Sequence, residues 1–207
     1  MHEVMIIFNI IKKTAFKRAI VFFVIATIVT VLGTAITYSV NPDIEGIMES
    51  LGDSSSDQLR ESTGIKKVWA YVMNNGFMVP LQMFVLALIP IQFLYLINVV
   101  STALIPGILF GVVLQMDFIK GLGVIASTIP HYCVEVLAFC LFAAALFELN
   151  RVIRKKVRSV FKKGKDQVPL VKEILGTIKI YGVLILPMIM AAAFLETYIA
   201  DIIFNLF

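Results

Sequence analysis

The chain has 207 residues, of which 59% are hydrophobic and 15% charged, and its net charge is +4 at neutral pH. With a mean hydropathy of +0.93, this composition excludes an ordinary soluble domain and predicts an all-α integral membrane protein in contact with the lipid bilayer. Its continuous apolar blocks exclude the alternating pattern of a transmembrane barrel, and the basic residues lie in blocks that fit membrane topology better than binding to nucleic acid.

Five apolar blocks follow one another along the chain, each near the length of about 20 residues that crosses a bilayer. The first begins at Ala19, and its length favours a retained anchor over a cleaved signal peptide. The stretch from Gly76 to Gly111 is about twice a spanning length, so it is predicted to form two helices. The predicted transmembrane helices are 19–40, 77–97, 99–115, 131–149 and 177–200.

The distribution of charge indicates the orientation. Residues 1–18 carry four Lys and Arg against one Glu, and residues 151–172 carry nine against one Asp, whereas residues 41–65 hold six acids and one Arg. Because basic residues accumulate on the cytoplasmic side, the N-terminus and a basic loop, 151–176, are predicted inside and an outer loop, 41–75, outside. Five crossings then place the C-terminus outside. Residues 1–18 are read either as an interfacial helix or as an ordinary basic lead-in.

Three ionisable residues within the apolar blocks form the candidate site. His131 and Glu135 are four residues apart and share one face of a helix, and Glu196 interrupts the last block. The two helices run in opposite directions, so all three residues are expected at a similar depth in the outer third of the membrane. Ionisable groups at membrane depth normally face the protein interior and mark functional sites.

Several chemistries fit these three residues. One imidazole and two carboxylates suit zinc or another divalent ion. The alternatives are a hydrogen-bonded network that locks the bundle, acid–base catalysis without a metal, and proton or ion coupling in transport. No convincing nucleophile accompanies the pair, which favours a non-enzymatic role.

Further polar residues complete the predicted arrangement. Asn74, Asn75, Gln82 and Asn98 are expected to join the outer polar cluster, with the two adjacent asparagines just before the second helix. Glu148 and Arg151 lie at the opposite, cytoplasmic end of the fourth helix. They are expected to form an interfacial ion pair.

The order of these landmarks resembles the stage II sporulation protein M family, also called the DUF95 family. In that family an Asn-Asn pair opens the second span, an Asn and glycines mark the third, a His-Gly-x-x-Glu-like motif opens the fourth, and a small-residue patch ending in Glu lies in the last. The matching residues here are Asn74 and Asn75, then Asn98 with Gly107 and Gly111, then His131 to Glu135, then Ala191 to Glu196.

The resemblance implies a multi-pass protein of the bacterial cytoplasmic membrane. Founding members of the family recruit cell-wall hydrolases during sporulation, and relatives occur in gene clusters for circular bacteriocins. The chain has no Walker A sequence, so energised transport would need an ABC-type ATPase as a partner.

Three functions therefore stay open. The first is a scaffold or assembly factor for an envelope or peptide-export process. The second is a zinc-dependent hydrolase acting on a peptide, lipid or wall precursor at the outer face, and the third is a transporter or immunity subunit linked to bacteriocin export. A homo-oligomer is compatible with each of them.

The charge pattern leads to a direct test of topology. We expect a cysteine at position 55 to be extracytoplasmic and one at position 163 to be cytoplasmic. Each is introduced singly, in place of Ser55 or Lys163, in a background without Cys133 and Cys140. An impermeant maleimide applied to intact cells should label position 55 and leave position 163 unlabelled until the cells are lysed. The reverse pattern would contradict the predicted orientation.

Overall fold

The computed structural model describes residues 13–40, 63–161 and 170–207. Three predicted features fall wholly or partly elsewhere in the sequence. The first twelve residues of the predicted interfacial segment, residues 41–62 of the outer loop and residues 162–169 of the basic loop lie outside the described residues.

Five helices form the described part of the chain, and no strand occurs in it. Each helix contains a stretch that is long and apolar enough to cross a membrane. The expected all-α fold, with five helices able to span a bilayer, is therefore confirmed. The helices are α1 (Lys13–Val40), α2 (Ile65–Leu88), α3 (Leu96–Met116), α4 (Phe118–Phe161) and α5 (Leu170–Phe204).

The fourth helix, α4, is the centre of the bundle. In its most apolar stretch 78% of the residues are buried, against 22% in α1 and in α5. Small side chains on α4, among them Ala138, Ala143 and Ala144, are almost fully buried and let neighbouring helices approach closely. The other helices expose large apolar side chains such as Val31 and Ile36 on α1. Those outward faces suit contact with lipid.

The helix boundaries differ from the predicted spans. The second helix begins at Ile65 and ends at Leu88, so the predicted span 77–97 extends across the turn that follows it. Lys66 and Lys67 hid this early start, because two charges interrupt the apolar pattern. Asn74 and Asn75 consequently lie inside α2, in a π-helical segment, Val72–Met78, and not before the helix as expected.

The turn between α2 and α3 is held by α4. Ile89, which precedes Pro90, is extended, as the residue before a proline usually is. The side-chain amide of Asn150 on α4 donates hydrogen bonds to the carbonyl oxygens of Ala87 and Ile89, at 2.9 and 2.7 Å. Arg154 in turn donates from Nε to Asn150 Oδ1 at 2.9 Å. These bonds satisfy backbone carbonyls that the end of α2 leaves open.

Proline also shapes the contact between α2 and α5. Pro80 has no N–H, so the carbonyl oxygen of Gly76, four residues earlier, lacks the donor that an α-helix would provide. The hydroxyl of Tyr181 on α5 donates a hydrogen bond to this oxygen. Satisfaction of a freed carbonyl by a neighbouring helix is how membrane proteins tolerate such a proline.

One end of the bundle carries a cluster of arginines, Arg18, Arg151 and Arg154, which we call the arginine end. Glu148 accepts a hydrogen bond from Arg18 Nη1 at 2.8 Å and forms an ion pair with Arg151, whose Nη2 lies 2.7 Å from Oε2. The guanidinium of Arg18 also lies 3.7 Å above the centre of the Phe147 ring. Glu148 is thus paired with Arg151 on its own helix and with Arg18 on α1.

Glycines bring α1 and α3 into close contact. A Cβ atom on Gly107 would lie 2.6 Å from the carbonyl oxygen of Thr30, and one on Gly111 would lie 2.5 Å from Thr37 Cβ. Thr30 Oγ1 donates to the carbonyl oxygen of Ala103 at 2.8 Å. Ala103, Gly107 and Gly111 are spaced four apart, which is the small-residue spacing of close transmembrane helix packing.

This packing predicts that Gly107→Ala destabilises the protein. The new methyl group would meet the backbone of α1, which cannot move without separating the two helices, so we expect a loss of about 1–3 kcal/mol of stability. Gly182→Ala is the matched control, because nothing lies within 4 Å of a Cβ atom there. Thermal unfolding in detergent should separate the two variants. Equal unfolding temperatures would contradict the close approach of α1 and α3.

Candidate functional site

His131 and Glu196 are in direct contact. Nε2 of His131 on α4 lies 2.9 Å from Oε2 of Glu196 on α5. The other carboxylate oxygen of Glu196 lies 3.3 Å from Nζ of Lys67 on α2. The His131 side chain is 10% exposed and that of Glu196 23% exposed, so this contact is largely shielded from the surroundings. Three helices therefore meet at Glu196.

Glu135 has a different partner. Its carboxylate accepts a hydrogen bond from the hydroxyl of Tyr71 on α2, and the Tyr71 ring meets the His131 ring edge to face at 6.5 Å between centroids. Lys67 and Tyr71 are four residues apart and share one face of α2. Neither was among the predicted site residues, because the start of α2 was placed ten or more residues too late. An earlier start would have put both side chains at the depth of Glu196.

The arrangement divides the three predicted metal donors between two contacts. His131 binds Glu196, and Glu135 binds Tyr71. In the described ranges, no group of three or more His, Cys, Asp or Glu side chains is placed to hold a metal ion. A zinc site on His131, Glu135 and Glu196 thus stays a prediction. The observed contacts are those of the hydrogen-bonded alternative.

One polar atom of this network is left over. Nδ1 of His131 is buried and has no hydrogen-bond partner within the described residues. A buried imidazole nitrogen without a partner is costly, so this atom is available to a ligand or a water molecule.

His131 and Glu135 also line a cavity between α2, α3 and α4, which we call the polar groove. Its volume is about 520 Å³. All four residues predicted for the polar cluster line it, and Asn98 on α3 donates to Gln82 Oε1 on α2 at 2.9 Å. The lining residues are Tyr71, Asn74, Asn75, Val79, Gln82, Ile97, Asn98, Ser101, Thr102, Ile105, Pro106, Thr128, His131, Tyr132 and Glu135.

The groove presents hydrogen-bonding groups at membrane depth. Asn74, Gln82 and Ser101 are exposed within apolar helices. Glu135 lies thirteen residues before Glu148 on α4, or roughly 20 Å along the helix axis at 1.5 Å per residue. The groove therefore extends from the hydrocarbon region towards the end of the bundle opposite the arginine end.

Behind the groove, Tyr132 connects three helices. Its hydroxyl group shares a hydrogen bond with Thr30 on α1, whose Oγ1 donates to the Ala103 carbonyl oxygen on α3. The wall formed by α3 and α4 is thus held from the side of α1.

The ion pair at Glu196 leads to a stability prediction. We expect Glu196→Gln to lower stability by about 1–2 kcal/mol, because His131 and Lys67 lose their charged acceptor. In a His131→Asn background the same substitution should cost less, since the partners act as a unit. Asp201→Asn, at an exposed carboxylate on the same helix, is the control and should be nearly neutral. Additive effects of the two substitutions in chemical unfolding would contradict the contact.

Comparison with known proteins assigns the chain to a family. The sequence model described as stage II sporulation protein M matches residues 19–201. No curated protein matches the chain, and no solved structure does. The family match covers all five helices in whole or in large part, including every residue that lines the groove. This multi-pass membrane protein therefore belongs to the stage II sporulation protein M family.

Proposed function

We propose that this protein is a non-catalytic assembly factor of the bacterial cytoplasmic membrane that binds a transmembrane helix of a partner protein in its polar groove. In this proposal the N-terminus and the arginine end face the cytoplasm and the C-terminus lies outside. The observation that carries the proposal is the exposure of Asn74, Gln82 and Ser101 at membrane depth.

Exposed amides and hydroxyls need a polar partner in a membrane. A polar group facing hydrocarbon loses its hydrogen bonds to water, whereas side chains of Ser, Thr, Asn and Gln stabilise contacts between transmembrane helices. Asn98 and Gln82 satisfy each other in part. Each amide retains further donors and acceptors, so a polar face on another helix would find partners in the groove.

The dimensions of the groove suit a helix. On α2 the lining runs from Tyr71 to Gln82, a separation of eleven residue steps or roughly 16 Å along the axis, which is about three helical turns. The long direction of the lining follows α2, and a transmembrane helix of a partner would run alongside it. Contacts over several turns favour a protein segment over a small polar molecule.

The charge pattern supports the proposed orientation. Arg18, Arg151 and Arg154 lie at one end of the bundle, where basic residues are expected to face the cytoplasm. The groove then opens in the outer part of the membrane, where an envelope process takes place. A membrane-anchored cell-wall hydrolase, or a membrane subunit that accompanies an ABC-type ATPase, would supply a helix of the kind proposed.

A metal-dependent hydrolase is the second candidate. The buried Nδ1 atom of His131 has no partner in the described part of the chain, and Glu135 lines the same groove. The two candidates differ in metal content. Stoichiometric zinc in the purified protein, lost in His131→Ala, would support the hydrolase and contradict the assembly factor.

The assembly-factor proposal predicts site-specific crosslinking. A photoreactive amino acid at position 101, in place of Ser101, should form an adduct with a transmembrane segment of another membrane protein in native membranes. Val31, which is 61% exposed on α1, is the control position, because it lies beside Thr30 at a similar depth but outside the groove. Adducts at position 31 should be with lipid.

Specificity is tested by changing the groove itself. Gln82→Leu removes one exposed amide without adding bulk, and we expect it to lower the yield of the position-101 adduct about tenfold, as loss of roughly 1.4 kcal/mol would do. Mass spectrometry identifies the crosslinked segment. Adducts at position 101 that contain only lipid, or only a second copy of this chain, would contradict the proposal.

A further inference from the structure

A second cavity lies between α1 and the start of α3, and none of its lining residues lines the polar groove. It has a volume of about 310 Å³ and we call it the apolar crevice. Its lining is hydrophobic throughout and includes Phe22, Ile25 and Val29 on α1. Ile25 is 50% exposed, as is expected where a crevice opens towards the surrounding lipid. An apolar cavity of this kind in a membrane is suited to an acyl chain.

The crevice continues into the arginine end. Arg18, Phe22, Ile25 and Val29 stand at positions i, i+4, i+7 and i+11 of α1, so they form one stripe along the helix. On the other wall, Phe93 lines the crevice and its ring centroid lies 5.7 Å from that of Phe147. Because Arg18 lies above the Phe147 ring, its guanidinium is near the end of the crevice that Phe93 forms.

Charge at this end is not balanced. Within the described residues, Glu148 is the carboxylate that pairs with Arg18 and Arg151, while Arg154 donates to the neutral side chains of Asn150 and Gln92. In the part of the chain that the structure describes, three guanidinium groups therefore face one carboxylate at this end. Arg18 uses one N–H of its five for Glu148, and the others suit a phosphate.

From this combination we propose that the protein holds one anionic phospholipid, with an acyl chain in the apolar crevice and the phosphate on Arg18. The binding site is formed by α1, the 89–95 turn, the start of α3 and the arginine end of α4, and it shares no lining residue with the polar groove. An anionic lipid complements the excess positive charge, whereas a zwitterionic lipid offers no net charge to it. The preference for anionic lipid is therefore the signature of the site.

The test measures lipid retention. Full-length protein in micelles doped with equal amounts of phosphatidylglycerol and phosphatidylcholine is delipidated stepwise and analysed by native mass spectrometry. We expect one phosphatidylglycerol to be retained preferentially. Arg18→Gln should reduce this preference about fivefold, which corresponds to the roughly 1 kcal/mol that a basic residue contributes near an anionic headgroup. Lys172→Gln, at an exposed position on α5, should leave the preference unchanged.

A second variant tests the crevice without touching the ion pair. Val100, which is 44% exposed, lines the crevice, and Val100→Phe should fill it and reduce retention of the lipid. Val85→Phe, at a residue 52% exposed on α2, is the matched control and should retain lipid as the unaltered protein does. If Arg18→Gln fails to fold, the comparison of Val100→Phe with Val85→Phe tests the proposal without it. Equal retention of both lipids by the unaltered protein, or retention unaffected by Val100→Phe, would overturn the proposal.

Discussion

The fold depends on satisfying polar groups inside hydrocarbon, where water is not available to them. The central helix α4 does this at three levels. Near one end, Asn150 binds the carbonyl groups released where α2 stops. Two residues away, Glu148 pairs with arginines from two helices, and about four turns further along, Glu135 and His131 engage α2 and α5. Together these levels connect α4 to α1, α2 and α5, so the polar contacts position the helices as well as satisfying their own groups.

In the polar groove, polar side chains inside the membrane are not all satisfied within the described part of the chain. Gln82 and Ser101 line it and are exposed, although small or apolar residues would be cheaper at that depth. In contrast to the groove, the outward faces of α1 and α5 expose largely hydrophobic side chains. A cluster of exposed polar side chains between well-satisfied contacts is what the proposed partner-binding surface requires. The wall behind it is held by the hydrogen bond between Tyr132 and Thr30.

Much of the architecture was predictable because bilayer thickness and helix rise limit what an apolar block can do. These constraints led to five spanning helices and to a similar depth for His131 and Glu196, which the structure places 2.9 Å apart. The start of α2 was not predictable from apolarity, because Lys66 and Lys67 occupy its first turn. The partner of Glu135 was missed for the same reason. Whether three donors gather on a metal or pair separately depends on rotamers and helix rotation, which periodicity does not determine.

The groove and the ion-pair network share the first turns of α2. Tyr71 lines the groove while binding Glu135, and Lys67, one turn earlier, binds Glu196. A substitution at Tyr71 would therefore change the polar groove and the contacts of α4 and α5 together. Its effect on partner binding could not be assigned to either change alone. Ser101 lies across the groove on α3, outside that network of side chains. Contacts of Gly107, Thr30 and Tyr132 hold α3 against α1 and α4. A substitution at Ser101 leaves these contacts in place, so crosslinking at position 101 measures occupancy of the groove separately from the stability of the bundle.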